Sequence, residues 1–436
     1  MTEALLTVVF LFSLFFLLGS SVWVAFSLLG CAVVGMEMFT SRPVGDSMAM
    51  TIWGLNSSWT LTSLPLFVWM GEILFRSSLS ATLFKGLTPL MSRLPGGLLH
   101  VNIAGSAIFA AISGSSSATA VTVGKMSIPE LRRRNYPDNM IVGTLAGAGT
   151  LGLLIPPSIT LIIYGVSVNE SIAKLFMAGI LPGIMLALLF MGYIAIKSII
   201  RGDHLERTEQ PYSWGQKAEG ILQLLPVFLL ILMVIGSIYT GVATATESAV
   251  LGVLGSLVLA ACQGGMSWAS FRESLMGAVR TSCMIAFILM GSSFLSLAMG
   301  FTGLPKSLAE VIASWHLSPI MLIVILTVFY IVLGCFLDGI SSIVLTMAVI
   351  EPMVRAAGFD MIWFGIYLMI VVEMAQITPP VGFNLFVLQS MTGHDMGYIA
   401  KAAFPMFLLM ILAVVLMVIF PDIATFLPEA MKPPAG

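Results

Sequence analysis

The chain has 436 residues, of which 58% are hydrophobic and only 9% charged, with a mean hydropathy of +1.04 and a formal net charge of −2. Ordinary soluble domains carry about 25% charged residues, so a soluble globular fold is excluded. A nucleic-acid partner is excluded with it: there is no basic domain, and the densest positive run, LRRRN at 131–135, suits a topology signal.

A spanning helix takes about 20 apolar residues, which leaves room for roughly ten to twelve crossings. The sequence therefore reads as an all-α polytopic membrane protein. The first segment, 4–19, follows Glu3 rather than a positive n-region, so it reads as a retained span and not as a signal peptide. Spans near 22–39 and 60–78 come next, and Glu72 stands four residues before Arg76, the spacing of an intrahelical ion pair.

The segment at 98–125 departs from this pattern. SGSSSATAVTVG, from 113 to 124, places Ser115, Ser116, Ser117 and Thr119 where a lipid-facing helix would carry leucine. Polar, irregular chain cannot face lipid, so this segment suits a re-entrant hairpin, with Gly114 permitting the turn at its tip. The span at 140–166 contains Pro156-Pro157, which remove two amide donors and cannot continue a helix. The helix must break there. Carbonyls near Leu154 and Ile155 become free for a cation, and the half-helix restarting at Ser158 points its amide-rich end into the gap. A span at 177–198 ends the first half.

The one markedly polar stretch, RGDHLERTEQPYSWGQKAEG from 201 to 220, supplies a connector assigned to 204–217. Beyond it the organisation recurs. Spans near 222–240, 245–262, 279–300, 362–390 and 403–427 match the first five, and Glu247 in TATES reads as a helix cap. A second hairpin at 318–348 carries Asp338-Gly339 at its tip, the only carboxylate at either tip, and Pro379-Pro380 repeats the double proline. Ser115 lies 41 residues before Pro156, and Asp338 lies 41 before Pro379. Met70-Gly71 faces Met290-Gly291 in the same alignment, and His100 faces His316. The expected halves are 1–203 and 218–436, each with five spans and one re-entrant hairpin. An odd number of crossings makes the second half enter from the opposite side, which gives inverted-topology repeats.

Charge fixes the orientation. Lys85, Arg93, Lys125 and Arg132 to Arg134 flank the first hairpin, and Lys197, Arg201, Arg207 and Lys217 fill the connector, so that side is cytoplasmic. The opposite loops hold Arg42, Lys174, Lys306 and Arg355, and both termini are expected outside.

Each tip faces a broken helix, and the two together make a clamp. Ser115 to Thr119 offer hydroxyls and main-chain oxygens that suit either a small hard cation or the rim of an anionic ligand. Close packing explains isolated hydroxyls such as Ser20 and Ser256; it does not explain a polar tip and a double proline repeated at one spacing. Glu373, little more than one turn before Thr378, is within reach of the second clamp or available as a proton carrier. Cys31, Cys262, Cys283 and Cys335 form no CxxC pair and read as packing residues. GAGTLG at 147–152 fits GxGxxG but follows no strand, and neither a GxxxxGK[ST] loop nor HExxH occurs, so an enzyme is not indicated.

Five stretches in this order, GSSSATAVTVG, GLLIPPSITLIIYG, GVATATESAVLG, GCFLDGISSIVLTMAVIEPM and QITPPVGFNLFVLQS, closely resemble the large membrane subunit of TRAP transporters, the DctM type. The resemblance covers nearly the whole chain. TATES, in place of the more usual Thr-Pro-Thr-Glu-Ala-Ala, is a mild departure. The resemblance implies a bacterial inner-membrane protein of elevator-type ion transporter fold. The implied activity is sodium-coupled uptake of organic acids such as C4-dicarboxylates, with sodium as coupling ion and no cofactor. The implied partners are a small four-span membrane subunit, not expected to be fused to this chain, and a periplasmic binding protein that delivers the substrate. Carried over by position, the sodium sites would involve Ser115, Ser117 and Thr119 with Pro156, and Asp338, Gly339, Ser341 and Ser342 with Thr378 and Pro379. The substrate would lie between the tips, near Ser116, Ser158, Asp338 and Asn384. The alternative is a self-sufficient sodium–dicarboxylate symporter that needs no binding protein.

Overall fold

A computed structural model describes residues 2–20, 22–201, 212–263, 266–303, 318–380 and 382–431. Most of the connector expected at 204–217 lies outside the described residues, as do Arg207, Lys306 and His316. All regular structure among the described residues is helical. Among the described residues six helices are long and apolar enough to cross a membrane, one of them Gly339–Ala356, and Asp138–Leu154 with Ile159–Val168, bent by 42°, adds a seventh if the pair is one span.

The first half runs through α1 (Thr2–Gly19), α2 (Val24–Phe39), α3 (Val44–Asn56), a short 3-10 turn leading into α4 (Ser63–Phe75), and α5 (Leu79–Met91). The hairpin arms α6 (Leu99–Ser113) and α7 (Ser116–Arg133) follow, then α8 (Asp138–Gly149), α9 (Leu151–Leu154), α10 (Ile159–Val168) and α11 (Ile172–Arg201). The second half comprises α12 (Trp214–Tyr239), α13 (Ala245–Cys262), α14 (Trp268–Thr302), the hairpin arms α15 (Pro319–Gly334) and α16 (Gly339–Ala356), and the broken pair α17 (Met361–Gln376) and α18 (Phe383–Thr392). It ends with α19 (Met396–Ile419) and α20 (Asp422–Ala430).

Most of each expected span is helical, and the chain turns between paired helices at Gly114 and just before Asp338. Gly114 closes α6 in the left-handed region at φ 58°, and Ser115 then caps α7. Asp338 caps α16, its carboxylate accepting from the amides of Ile340 and Ser341 at 3.1 and 3.3 Å. The Glu72–Arg76 pair forms at 3.2 Å, and Arg76 also reaches Glu273 at 2.8 Å. Glu247 completes a capping box with Thr244.

Two helices were not foreseen. α3 has no buried residue and leaves Met50 and Trp53 exposed, so it carries no core-facing stripe strong enough to signal a span. α5, with Pro89 inside it, packs on α12. The segment expected as one span at 403–427 is also split, because α19 stops before Pro421 and α20 starts afresh. Of the four cysteines, Cys31 and Cys335 are buried, while Cys262 and Cys283 are exposed and so are not core packing residues.

Packing follows a crossed pattern. α2 lies against α14, and α4 against α13. Glycines let these helices approach: a methyl added at Gly291 would stand 2.7 Å from the Ala25 carbonyl oxygen. Each hairpin's second arm packs on the broken helix of the other half, α7 on α18 and α16 on α10. An arginine secures each crossing. Arg132 donates to the Thr392 carbonyl at the end of α18 at 3.5 Å, and Arg355 donates to Val168 at the end of α10 at 3.0 Å, both favourable charges at a helix C-terminus. The pairs Arg132/Arg355, Ser115/Asp338 and Pro156/Pro379 share one offset of 223 residues. At the middle runs α17, apolar on every face except for Glu373 and Gln376 near its end, and buried at every position but Ile362.

Candidate functional site

Both tips meet in one cavity of ≈ 1390 Å³. Residues Ser113 to Ala118 enter from the first hairpin and Asp338 to Ser341 from the second, with Leu153, Ile159 and Gln376 supplied by the broken helices. The facing wall comes from α4, through Val68, Gly71 and Glu72, and from α14, through Arg280 and Thr281. Gly71 keeps α4 close to the first tip, since a methyl there would stand 3.2 Å from the Ser113 carbonyl oxygen.

The first clamp is closed by small residues. A methyl on Gly152 would stand 2.6 Å from the main chain of Ser115 and Ser116, and one on Gly114 would stand 3.0 Å from the Pro157 carbonyl oxygen and the Ile159 nitrogen. Tip and break are therefore in direct main-chain contact. Within the tip, Thr119 donates to the Ser115 carbonyl at 2.7 Å and shares a 3.0 Å bond with Ser113, while Ser115 and Ser117 hydroxyls lie 3.4 Å apart.

At the break, the freed carbonyl of Leu153 is not left for a ligand. The Ser158 hydroxyl donates to it at 2.6 Å and accepts from the Leu161 amide at 3.3 Å. The Leu154 carbonyl oxygen is covered by α11, where a methyl on Gly179 would approach it to 2.6 Å. Ser158 is 0% exposed and its hydroxyl is used in both directions, so it bridges the break and does not line the cavity.

The second clamp differs in being more open. Asp338, Pro379 and Pro380 are exposed, Thr378 is half-buried, and the Thr378 hydroxyl bonds back to Met374 at 2.7 Å. The Cys335 thiol, just past the end of α15, is within donating distance of the Ile331 carbonyl of its own helix at 3.0 Å and of the Pro379 and Thr378 carbonyls at 3.4 and 3.7 Å, which places the hairpin against the break. Both Pro-Pro bonds, 156–157 and 379–380, are cis.

Among the residues singled out from sequence, the cavity is lined by Ser115, Ser116, Ser117, Asp338, Gly339 and Ser341. Thr119, Ser342 and Asn384 are buried behind it; the Ser342 hydroxyl and both polar atoms of the Asn384 amide have no hydrogen-bond partner. Pro156 is buried near Gly179. Gln376 and Arg280 are among the lining residues that escaped sequence reasoning. Gln376 presents a buried, unpartnered Nε2, and Arg280 is the one lysine or arginine among the described lining residues. Spacing offered a cue for Gln376, two residues before Thr378; nothing local in α14 marks Arg280. The cavity thus combines hydroxyls, main-chain oxygens, two carboxylates, Asp338 and the Arg76-paired Glu72, and one guanidinium, a set able to hold a small cation beside an anion.

The arrangement of helices resembles that of solved membrane transporters. The crystal structure of the Alcanivorax borkumensis YdaH transporter superposes with a TM-score of 0.65 at 12% identity, over 92% of this chain and 98% of that one. The Neisseria gonorrhoeae MtrF structure gives 0.59 at 11%, over 91% and 93%. These likenesses concern the fold.

The chain belongs to the DctM family: the profile described as "Tripartite ATP-independent periplasmic transporter, DctM component" matches residues 11–423. Among its relatives are the C4-dicarboxylate TRAP transporter large permease protein DctM of Pseudomonas aeruginosa, 29% identical over 88% of this chain and 89% of that protein. The sialic acid TRAP large permease SiaM of Vibrio cholerae is 28% identical over 95% and 96%. The 2,3-diketo-L-gulonate TRAP large permease YiaN of Escherichia coli is 30% identical over 92% and 93%.

Proposed function

We propose that this TRAP large permease carries out sodium-coupled uptake of a carboxylate-bearing organic solute, working with a small membrane subunit and a periplasmic binding protein. One observation carries the proposal: two polar hairpin tips and residues from both broken helices converge on one cavity. Hydroxyl and main-chain oxygens of the two tips serve the cation, at Ser115, Ser117 and Thr119 on one side and at Asp338, Gly339, Ser341 and Ser342 on the other. The anion lies between them, near Ser116 and Asn384, where Arg280 and the amide-rich starts of α10 and α18 favour negative charge. Binding either charge alone in an apolar interior is costly, and binding both together cancels much of that cost. Coupling follows from this mutual dependence.

The three relatives described above are named for carboxylic acids, which supports the substrate class. We assign the two halves opposite orientations and the connector to the cytoplasm. In an elevator movement, the hairpins and broken helices, cross-tied by Arg132 and Arg355, travel together against α2, α4, α13 and α14.

The test is uptake of labelled organic acids into proteoliposomes holding both membrane subunits, with the cognate binding protein outside and sodium varied. Saturable uptake that needs sodium and the binding protein is expected. Uptake indifferent to sodium overturns the coupling, and uptake without the binding protein favours the self-sufficient symporter.

A further inference from the structure

The two clamps are unequal in charge. The second has Asp338 at its tip; at the matching position the first has Ser115, and no residue from Ser113 to Thr122 carries a charge. A cation held by hydroxyls and carbonyls alone, at a site shut in by protein, lacks a neutralising partner.

The described structure contains a second central carboxylate, and it belongs to the other half. Glu373 lies on α17 and is 1% exposed. Its carboxyl faces the Ser116 side chain at the first tip and the Leu153 main chain at the first break. Neither oxygen closes a hydrogen bond. The buried Nε2 of Gln376, one turn further along the same face, is likewise unpartnered, and it borders the cavity beside Gly339 of the second tip. At the position matching Glu373 in the first half stands Thr150, whose hydroxyl is satisfied within its own helix by Gly147 at 2.5 Å. Asp338 and Glu373 thus both come from the second half, one at each clamp, whereas Glu72 on the facing wall is already paired with Arg76.

A carboxylate buried without a partner is strongly unfavourable, so this arrangement is completed by a positive charge placed against it. We infer that Glu373 is a cation-binding residue of the first clamp, lent across the halves to neutralise a monovalent metal ion held at Ser115 to Thr119. The inference rests on the sodium-coupled function proposed above. It explains how occupancy of the first clamp is felt by the second: α17 carries Glu373 to one and leads through Gln376 to Thr378 at the other. A first clamp without its ion leaves the buried Glu373 carboxylate with nothing to offset its desolvation, which disfavours movement of the half-loaded protein.

The experiment uses the complete transporter in proteoliposomes. In E373Q the sodium concentration giving half-maximal uptake is expected to rise at least tenfold, with an intermediate rise in E373D, which keeps the charge but draws it back by one methylene. On the unmodified protein, N,N′-dicyclohexylcarbodiimide, which attacks buried carboxyls, is expected to label Glu373, and sodium, but not choline, is expected to slow that labelling as read by mass spectrometry. Sodium dependence within twofold of the original in E373Q, or labelling of Glu373 indifferent to sodium, overturns the inference. So does an E373Q variant that loses only its pH dependence, which makes the carboxyl a proton carrier. Should E373Q fail to fold, the labelling result on the unmodified protein decides. Failure of the underlying function is distinct, since the unmodified transporter would then show no sodium response in uptake or labelling.

Discussion

Gly152 offers the sharpest test of the clamp geometry, because it stands where the first break touches the first tip. A methyl at this position would lie 2.6 Å from the carbonyl carbon and oxygen of Ser115 and from Cα of Ser116. Ordinary contact requires about 3.5–4.0 Å, so Gly152→Ala must drive tip and helix apart by about 1 Å. The atoms in the way are main chain, which cannot swing aside as a side-chain end would. Overpacking of this kind costs about 1–3 kcal/mol, against which alanine returns about 0.8–1 kcal/mol of helix propensity. The net expectation is a destabilisation of about 0–2 kcal/mol. The effect on ligand binding is larger, because displacement falls on the residues that would hold the ion. We expect sodium affinity to fall at least tenfold, equivalent to about 1.4 kcal/mol. Gly192→Ala is the control: it lies in α11 with nothing within 4 Å of an added methyl, and stability should rise by about 0.5–1 kcal/mol with sodium affinity unchanged. Sodium-dependent thermal stabilisation of the purified protein and sodium titration of uptake measure both quantities. If the two variants behave alike, tip and break are not in contact and the clamp is wrong.

Asp338→Asn separates capping from charge: asparagine caps as well as aspartate, so thermal stability should hold within about 1 kcal/mol while sodium-dependent uptake collapses. Asp338→Ala should lose both. Ser158→Ala should lower stability by about 1–3 kcal/mol, because it leaves the Leu153 carbonyl without its donor, and the loss should appear in thermal unfolding without any ligand. Arg280→Glu should raise the substrate concentration needed for half-maximal uptake. That deficit should shrink when ionic strength is raised with choline chloride at fixed sodium, since exposed charges are screened beyond about 10 Å at 0.1 M. Arg132→Ala breaks a two-point contact with Asp138 at 3.0 and 2.8 Å. It should cost about 1 kcal/mol, an effect that weakens in high salt.

Much of the architecture was legible from residues alone, and for a physical reason. Lipid offers no partner to main-chain polar groups, so every apolar run must be helix, and every polar or proline-broken interruption must turn or break where it stands. The turn at Gly114, the cap at Asp338 and the breaks at Pro156 and Pro379 are local consequences of single residues. α3 escaped because it buries no residue fully and only Val44, Met48 and Leu55 lean on the core, and the split before Pro421 because apolar residues resume soon after Asp422.

The residues themselves determined a helical membrane protein with two folded-back tips and two broken helices, because hydropathy, glycine and proline act within a few residues of where they lie. Only the tertiary structure decided that Ser158 serves the break and not the cavity, that α7 packs on α18 and α16 on α10, and that Glu373 stands beside Ser116. Those facts depend on which distant helices cross. Crossing is set by the fit of whole helix faces, Gly291 against Ala25 or Gly152 against Ser115, and no short stretch of sequence contains both sides of such a contact.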